Sequence, residues 1–64
     1  MTEMKFLEEL RREWVPVTVF LMNGFQLHCV ITGFDTAMVW VRDGSMEKAI
    51  YKHAISTIVP EREV

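Results

Sequence analysis

The dipeptide Asn23-Gly24 stands between two apolar runs rich in β-branched residues, and it limits the possible folds more than any other feature of the sequence. Asn-Gly in this setting is the strongest short-range signal for a β-hairpin, with a type I′ turn that needs positive φ at both residues. The run before it carries apolar residues at alternate positions, on one face of a strand: Val15, Val17, Val19 and Leu21. The sequence therefore predicts an antiparallel hairpin with a type I′ turn at Asn23 and Gly24.

More strand-like segments follow the hairpin turn. The second hairpin strand would be FQLHCVITGFD, with a bulge or bend at Gly33. The later strands would be AMVWVR, MEKAIYK and ISTIVP, with Asp43-Gly44 in a turn and Pro60 at a strand end, where no ladder donor is needed. Five short antiparallel strands, joined mostly by tight turns, predict a strongly bent sheet or small open barrel.

The N-terminal segment MTEMKFLEELRREW has the spacing of an amphipathic helix. Its apolar residues share one face at the helical period: Phe6, Leu7, Leu10 and Trp14. Thr2 is the predicted N-cap, and Glu8 and Arg12 are spaced for an i,i+4 ion pair. Pro16 ends the helix by about Trp14, because the residue before proline avoids the α region.

The chain is long enough for one small domain only, which we take as residues 1–64, with the helix at about 3–14 and the strands at about 15–60. Half of its residues are hydrophobic, more than one small core can absorb, and small domains usually need disulfides, a metal or oligomerisation. Cys29 is the only cysteine, so no internal disulfide can form, and His28 and His53 without cysteine partners make a poor zinc site. We therefore expect an oligomer without metal or cofactor.

Several classes of protein are excluded by the sequence. Its apolar runs are a few residues long, whereas a bilayer-spanning helix needs about 20, and the acidic N-terminal segment does not fit a signal peptide. The lone thiol fits a reducing compartment, so we expect a cytoplasmic protein without membrane contact. No catalytic triad, P-loop, HExxH motif or poised carboxylate pair stands out in the sequence, so the chain is not predicted to be an enzyme.

Two segments, LRREWVPVTVFLMNGFQLHCVITGFD and YKHAISTIVP, resemble the Hfq family, the bacterial members of the Sm/LSm RNA-binding proteins. The second segment is close to the Hfq form of the second Sm motif, in which a Tyr-Lys-His run precedes the last strand. The resemblance implies the Sm-like fold and a homohexameric ring, in which the fifth strand of one subunit pairs with the fourth strand of its neighbour. It also implies a subunit interface that includes Tyr51, Ile55, Ile58 and Val59.

The resemblance further implies three surfaces that bind single-stranded RNA. The proximal pore surface comprises Thr36, Lys52 and His53. The distal surface, on which purine bases would stack, comprises Phe20, Gly24, Phe25, Gln26, Leu27 and Thr57. The rim comprises Arg11, Arg12 and Phe34. Without the resemblance, Lys52 and His53 would be interpreted as a solvated lysine and a turn histidine. Phe20 would be interpreted as packed on a neighbouring subunit, and Arg11 and Arg12 as an ordinary solvated helix face.

The sequence departs from the usual family pattern at positions that bear on RNA binding. Ala37 offers no platform where relatives stack a base on a bulkier side chain, and Glu3 replaces a common glutamine with a charge that repels phosphate. Trp14 stands where many relatives carry an arginine, and Glu8 and Glu9 add acidic charge beside Arg11 and Arg12, so a weakened rim is expected. Gln26 stands where some relatives have a lysine, and Cys29 replaces a glycine usual at the bend of the second strand. The departures at Ala37 and Glu3 weaken the pore surface and so favour A-rich RNA on the distal surface over U-rich RNA in the pore.

The predicted function is that of an Hfq-like RNA chaperone, which binds single-stranded A-rich and U-rich RNA and promotes the pairing of small RNAs with mRNA. The alternative is a diverged ring of weak RNA affinity that acts as a protein-interaction or assembly module. It stays open because six copies of a chain with net charge −2 would carry −12, a field that opposes RNA.

Overall fold

The computed structural model describes residues 3–63, so the predicted N-cap Thr2 lies outside the described residues. One helix is followed by five antiparallel strands in a single sheet, which confirms the predicted class, mainly β with an N-terminal helix. The elements are α1 Glu3–Arg12, β1 Val17–Leu21, β2 Gln26–Phe34, β3 Met38–Asp43, β4 Met46–Tyr51, a 3-10 turn at Lys52–Ala54, and β5 Ile55–Pro60. Within the described residues, no helix is both long and apolar enough to cross a membrane.

The strands follow the order β4-β3-β2-β1-β5 across the sheet, which leaves β4 and β5 as its two edges. The long strand β2 pairs with β1 through its first half and with β3 through its second half. The pairing of β2 with β3 shifts register between Ile31 and Gly33, where an extra residue bends the strand. This irregularity, predicted from Gly33, lets one sheet curl around the core.

The core lies on the side of the sheet that α1 covers. Leu7 and Leu10 of the helix are buried there, and fully burying a leucine contributes about 1.5–3 kcal/mol relative to leaving it exposed. The other buried residues belong to four strands and the segment before β1: Val15, Val17, Val19, Cys29, Ile31, Val39, Val41 and Ile50. Because side chains alternate along a strand, Thr18 and Phe20 of β1 face the opposite side, which we call the outer face.

The helix ends in a Schellman motif after Arg12. The N–H of Val15 donates to the carbonyl of Leu10 at 3.1 Å, and the N–H of Trp14 donates to the carbonyl of Arg11 at 3.3 Å, the two hydrogen bonds that define the motif. Trp14 has a φ of 53°, a left-handed conformation that turns it away from the helix. Its side chain is 61% exposed, so the prediction that Trp14 extends the apolar face of α1 is wrong.

The hairpin between β1 and β2 is present, but its turn is not of type I′. The N–H of Gly24 donates to the carbonyl of Leu21 at 2.9 Å, and the N–H of Leu21 donates to the carbonyl of Phe25 at 2.8 Å, which closes a three-residue loop. Gly24 has a φ of 94°, whereas Asn23 keeps a negative φ. The side chain of Asn23 instead accepts a hydrogen bond from the Phe25 N–H at 3.0 Å. Such a side-chain bond is the local alternative to a left-handed asparagine.

Candidate nucleic-acid interface

A row of three side chains crosses the outer face of the sheet at Phe20. Phe20 of β1 pairs with Gln26 of β2 on one side and with Thr57 of β5 on the other. Directly opposed residues of antiparallel strands point to the same face, so the ring of Phe20 lies between an amide and a hydroxyl. We call Gln26, Phe20 and Thr57 the outer-face row. It brings together three of the residues predicted for the distal surface.

The outer-face row has the chemistry of a nucleobase platform. An aromatic ring can stack on any base, with about 1–3 kcal/mol per base. The amide of Gln26 offers both donors and acceptors, and the hydroxyl of Thr57 offers one donor and two acceptor lone pairs. Gly24 and Phe25 adjoin the row at the end of the hairpin, where Phe25 is 67% exposed. The predicted distal residues other than Leu27 are therefore accessible from one side.

The side chain of Leu27 faces away from the outer-face row. It pairs with Val19, which is fully buried, and it packs against the core. The period of two along β2 puts Leu27 and Gln26 on opposite faces of the strand. The assignment of Leu27 to the distal surface stays a prediction, and in this chain the side chain is turned toward the core.

A second candidate surface forms where the loop between β2 and β3 meets the turn between β4 and β5. The backbone N–H of Lys52 donates to the carbonyl of Ala37 at 2.9 Å, which ties the turn to the loop. Thr36 is exposed in that loop, and Lys52 and His53 open the 3-10 turn. The structure thus brings the three predicted pore residues onto two adjacent loops.

Asp35 organises the loop that carries Thr36. Its Oδ1 accepts hydrogen bonds from the backbone N–H groups of Ala37 at 2.8 Å and Met38 at 2.7 Å. These two bonds, with the positive charge of Lys52, lower the pKa of Asp35 below its ordinary value. Asp35 is therefore a loop-forming carboxylate whose Oδ1 already accepts hydrogen bonds from the backbone.

The two basic side chains of the pore surface differ in how available they are. The Nζ of Lys52 lies 3.1 Å from Oε1 of Glu3, and the lysine side chain is only 17% exposed. The imidazole of His53 stacks on the ring of Tyr51, with centroids 5.1 Å apart and planes within 13° of parallel. His53 remains exposed, whereas the ammonium of Lys52 already has an anionic partner. This surface is therefore less positive than its sequence suggests.

The rim arginines are also paired with carboxylates. Arg11 hydrogen-bonds Glu8, with its Nε 3.1 Å from Oε1, and Arg12 lies 2.7 Å from Glu9 and 3.2 Å from Glu13. The hydrogen bonds from Glu8 and Glu9 raise the pKa values of the two arginines, and Arg11 lowers the pKa of Glu8. The predicted i,i+4 pair of Glu8 with Arg12 is wrong, because Arg12 is held by its two other acidic neighbours.

The third predicted rim residue, Phe34, is half-buried and packs against the core. It pairs with Val39 on the core side of the sheet. With both arginines paired as well, the rim formed by Arg11, Arg12 and Phe34 presents little free cationic or aromatic surface. The weakening expected from the acidic neighbours of the arginines is consistent with this geometry.

The predicted subunit-interface residues all lie at the two edges of the sheet. Tyr51 ends β4, and Ile55, Ile58 and Val59 belong to β5. Ile55 and Ile58 are half-buried against the core, whereas Tyr51 and Val59 are exposed. The edge strands thus carry apolar surface that a single chain leaves uncovered.

Sequence reasoning missed a polar cluster next to the outer-face row. The hydroxyl of Thr18 lies 3.1 Å from Nδ1 of His28 and 3.4 Å from a carboxylate oxygen of Glu61. Thr18 faces the same side as Phe20, because the two are separated by one residue of β1. Period-two alternation from Phe20 would have identified Thr18 and its partner His28, but the approach of Glu61 depends on the path of the chain after β5.

Residues 3–63 contain neither a metal site nor a reactive thiol. No group of three or more histidine, cysteine and carboxylate side chains among residues 3–63 is arranged to hold a metal ion. Cys29 is buried, and this burial raises the pKa of its thiol to about 11. The thiol is therefore protonated at neutral pH and is a poor nucleophile.

Known proteins resemble this chain in sequence and in fold. The family model described as Hfq protein matches residues 3–64. The RNA-binding protein Hfq of Halalkalibacterium halodurans is 51% identical over 59 residues, which cover 92% of this chain and 76% of that protein. The RNA-binding protein Hfq of Geobacillus kaustophilus is 52% identical over 60 residues, which cover 94% and 80%. A crystal structure of the pleiotropic translational regulator Hfq matches with a TM-score of 0.88 and 41% identity, over 92% of this chain and 89% of that one.

The structural match confirms the Sm-like fold that the two sequence segments predicted. The matching family consists of RNA-binding proteins and not of enzymes. The family model covers nearly the whole chain, and the relatives match over most of their own length. The chain therefore belongs to the Hfq family.

Proposed function

We propose that this chain assembles into a homohexameric ring that binds single-stranded A-rich and U-rich RNA in the cytoplasm and promotes the pairing of small RNAs with mRNA. The observation that carries the proposal is the outer-face row of Gln26, Phe20 and Thr57 in a chain of the Hfq family. Single-stranded RNA suits this row, because its unstacked bases can lie flat on an aromatic side chain. We expect the purine bases of A-rich RNA to stack on Phe20.

Ring assembly is supported by the two open edges of the sheet. β4 and β5 each pair on one side only, and an open edge is a template for pairing with another chain. Beside β5, an open groove of about 250 Å³ runs between Phe6 of the helix and Ile55 and Ile58 of the strand. Pairing of β5 with β4 of the next copy is a head-to-tail contact, which can close into a ring. Exposed Tyr51 and Val59 would become buried in that contact.

The promotion of pairing would follow from two binding surfaces on opposite sides of one subunit. Lys52 contacts Glu3 of the helix, so the pore surface lies on the helix-bearing side, whereas Phe20 faces away from the core. Two RNA strands held on the two sides of one ring have a raised effective concentration for each other. Each of the two surfaces would promote pairing by holding one of the two RNA strands.

The alternative, a diverged ring of weak RNA affinity, is favoured by the charges. Lys52, Arg11 and Arg12 each have a carboxylate partner, and a ring of six chains at −2 each would carry −12. A module that binds proteins would need little free positive charge. Stacking on Phe20 does not need free charge either, which is why we prefer RNA binding.

A filter-binding assay with A-rich and U-rich oligonucleotides at two salt concentrations distinguishes the two functions. RNA binding predicts measurable affinity that falls as salt rises, because phosphate contacts release counterions. The alternative predicts weak retention of both RNAs at either salt concentration. Light scattering gives the mass of the assembly, which should be that of a hexamer. An annealing assay with two partly complementary RNAs then tests whether the ring accelerates their pairing.

A further inference from the structure

Trp14 holds a strained conformation that its own packing does not explain. It is the one non-glycine residue with positive φ among residues 3–63, at a helix-terminal position where glycine is usual. A non-glycine residue in this region costs about 1–3 kcal/mol. The side chain of Trp14 is 61% exposed, and within residues 3–63 its ring has neither a hydrogen bond nor an aromatic partner. Glycine would relieve the strain and would leave no large apolar surface exposed.

The guanidinium of Arg62, which has no carboxylate partner among residues 3–63, lies at the same helix end. Nη2 of Arg62 donates a hydrogen bond to the carbonyl of Glu13 at 2.8 Å, directly before Trp14 in the chain. Among residues 3–63, Arg62 forms no ion pair with a carboxylate. Arg11 and Arg12 differ from it, because both are paired with glutamates. Within the described part of the chain, the end of α1 therefore combines an exposed indole with a guanidinium that forms no salt bridge.

We propose that Trp14 and Arg62 form a binding site for one unpaired nucleotide of single-stranded RNA, in which the indole stacks on the base and the guanidinium meets the adjoining phosphate. The proposal rests on the RNA-binding function proposed above. Aromatic stacking tolerates any base, because every base has a π face, and arginine suits phosphate oxygens through charge-assisted hydrogen bonds. An acidic peptide could pair with Arg62 but would leave the indole face unused.

The site is separate from the outer-face row. Trp14 precedes β1 by three residues, whereas Phe20 lies near the other end of that strand, beside the hairpin. Glu61 of the segment after β5 donates its N–H to the carbonyl of Pro16 at 2.8 Å, which keeps the chain carrying Arg62 next to the start of β1. Mutations at the two sites can therefore be read independently.

Replacement of Trp14 by glycine gives the sharpest test. The Trp14→Gly hexamer should have a higher thermal midpoint than the parent, because the strain is removed, and should bind RNA about 5- to 100-fold more weakly. The loss should be similar for A-rich and U-rich oligonucleotides of equal length, because stacking is base-tolerant. Trp14→Phe should restore most of the affinity. Trp40→Phe leaves Trp14 as the single tryptophan, and its fluorescence should be quenched when either RNA is added.

Several results would overturn the proposal. One such result is that Trp14→Gly leaves RNA affinity unchanged while Phe20→Ala still weakens binding of A-rich RNA. The proposed RNA-binding function would then stand, but the site at Trp14 would be excluded. A lower thermal midpoint or a changed assembly mass for Trp14→Gly would make Trp14 a structural or subunit contact. A parent protein that binds neither RNA would remove the proposed function and this site together.

Discussion

The Nζ of Lys52 lies 3.1 Å from Oε1 of Glu3, so the lysine of the pore surface has an anionic partner within its own chain. The two residues come from opposite ends of the sequence and meet because the helix and the turn before β5 lie on the same side of the sheet. Any phosphate that approaches Lys52 must compete with this carboxylate. The contact makes Glu3 a residue that sets how well the pore surface binds RNA.

Replacement of Glu3 by glutamine should therefore strengthen binding of U-rich RNA. We expect a gain of about two- to fivefold, the range for a partly exposed ion pair, measured as the dissociation constant of a fluorescent U-rich oligonucleotide. Glu47→Gln removes the same charge from an ion pair with Arg42, which lies in none of the proposed RNA surfaces, and serves as the control for net charge. Equal gains in the two variants would mean that the Glu3 contact has no specific effect.

Phe20→Ala should weaken binding of A-rich RNA by roughly one to two decades, because it removes a stacking platform worth about 1–3 kcal/mol per base. Phe20 is only half-buried and lies on the outer face, so the variant should keep the fold. Lys52→Ala is the comparison at the pore surface, and its effect on U-rich RNA should be smaller. If Phe20→Ala leaves the affinity for A-rich RNA unchanged, the outer-face row is not the binding surface.

The loop at Asp35 should make the stability of the fold depend on pH. Hydrogen bonds from Ala37 and Met38 lower the pKa of Asp35 in the folded state. Ionised Asp35 therefore adds stability above its unfolded pKa of about 3.9, and this stability is lost as pH falls through the lower folded pKa. Asp35→Asn keeps an acceptor oxygen but cannot ionise, so its thermal midpoint should depend less on pH in the acid range. A parent and variant with parallel acid profiles would contradict this assignment.

The backbone conformation of Gly24 in the hairpin loop should matter for the stability of the fold. Gly24 has a φ of 94°, which strains any other residue although open space surrounds the position. Gly24→Ala should lower the free energy of unfolding by about 1–3 kcal/mol, measured by denaturant titration at fixed protein concentration. Gly33→Ala is the control, because its added Cβ would meet Trp40 at an ordinary 3.9 Å. An effect at Gly33 as large as that at Gly24 would show that backbone conformation is not the cause.

The hairpin could be predicted from the sequence in part. Local patterns predicted the strands, the hairpin and the irregularity at Gly33, because alternation and turn residues act over a few positions. The same patterns gave the wrong turn type, since the hydrogen bond from Phe25 to the Asn23 side chain competes with a left-handed asparagine. Local chemistry allows both turns, and the register of the two strands selects one.

The candidate site was likewise predictable from the sequence only in part. Alternation along β1 was enough to put Phe20 on the face opposite the core. The contact of Glu3 with Lys52 joins residues far apart in the chain, so it could not be read from spacing. The turned-out position of Trp14 follows from the hydrogen bonds that end the helix, which the period of its apolar residues does not specify. Leu27 was grouped with the distal residues by resemblance alone, and the direction of its side chain became clear only from the strand register.

We expect RNA to bind through Phe20 on the outer face more tightly than through the pore surface. Fluorescence anisotropy with A-rich and U-rich oligonucleotides of equal length, at one salt concentration, measures this preference in the unmodified protein. The outer-face row has a free aromatic platform, whereas the pore surface has Ala37 in its loop and a lysine paired with Glu3. We expect the lower dissociation constant for A-rich RNA. A lower dissociation constant for U-rich RNA would contradict it.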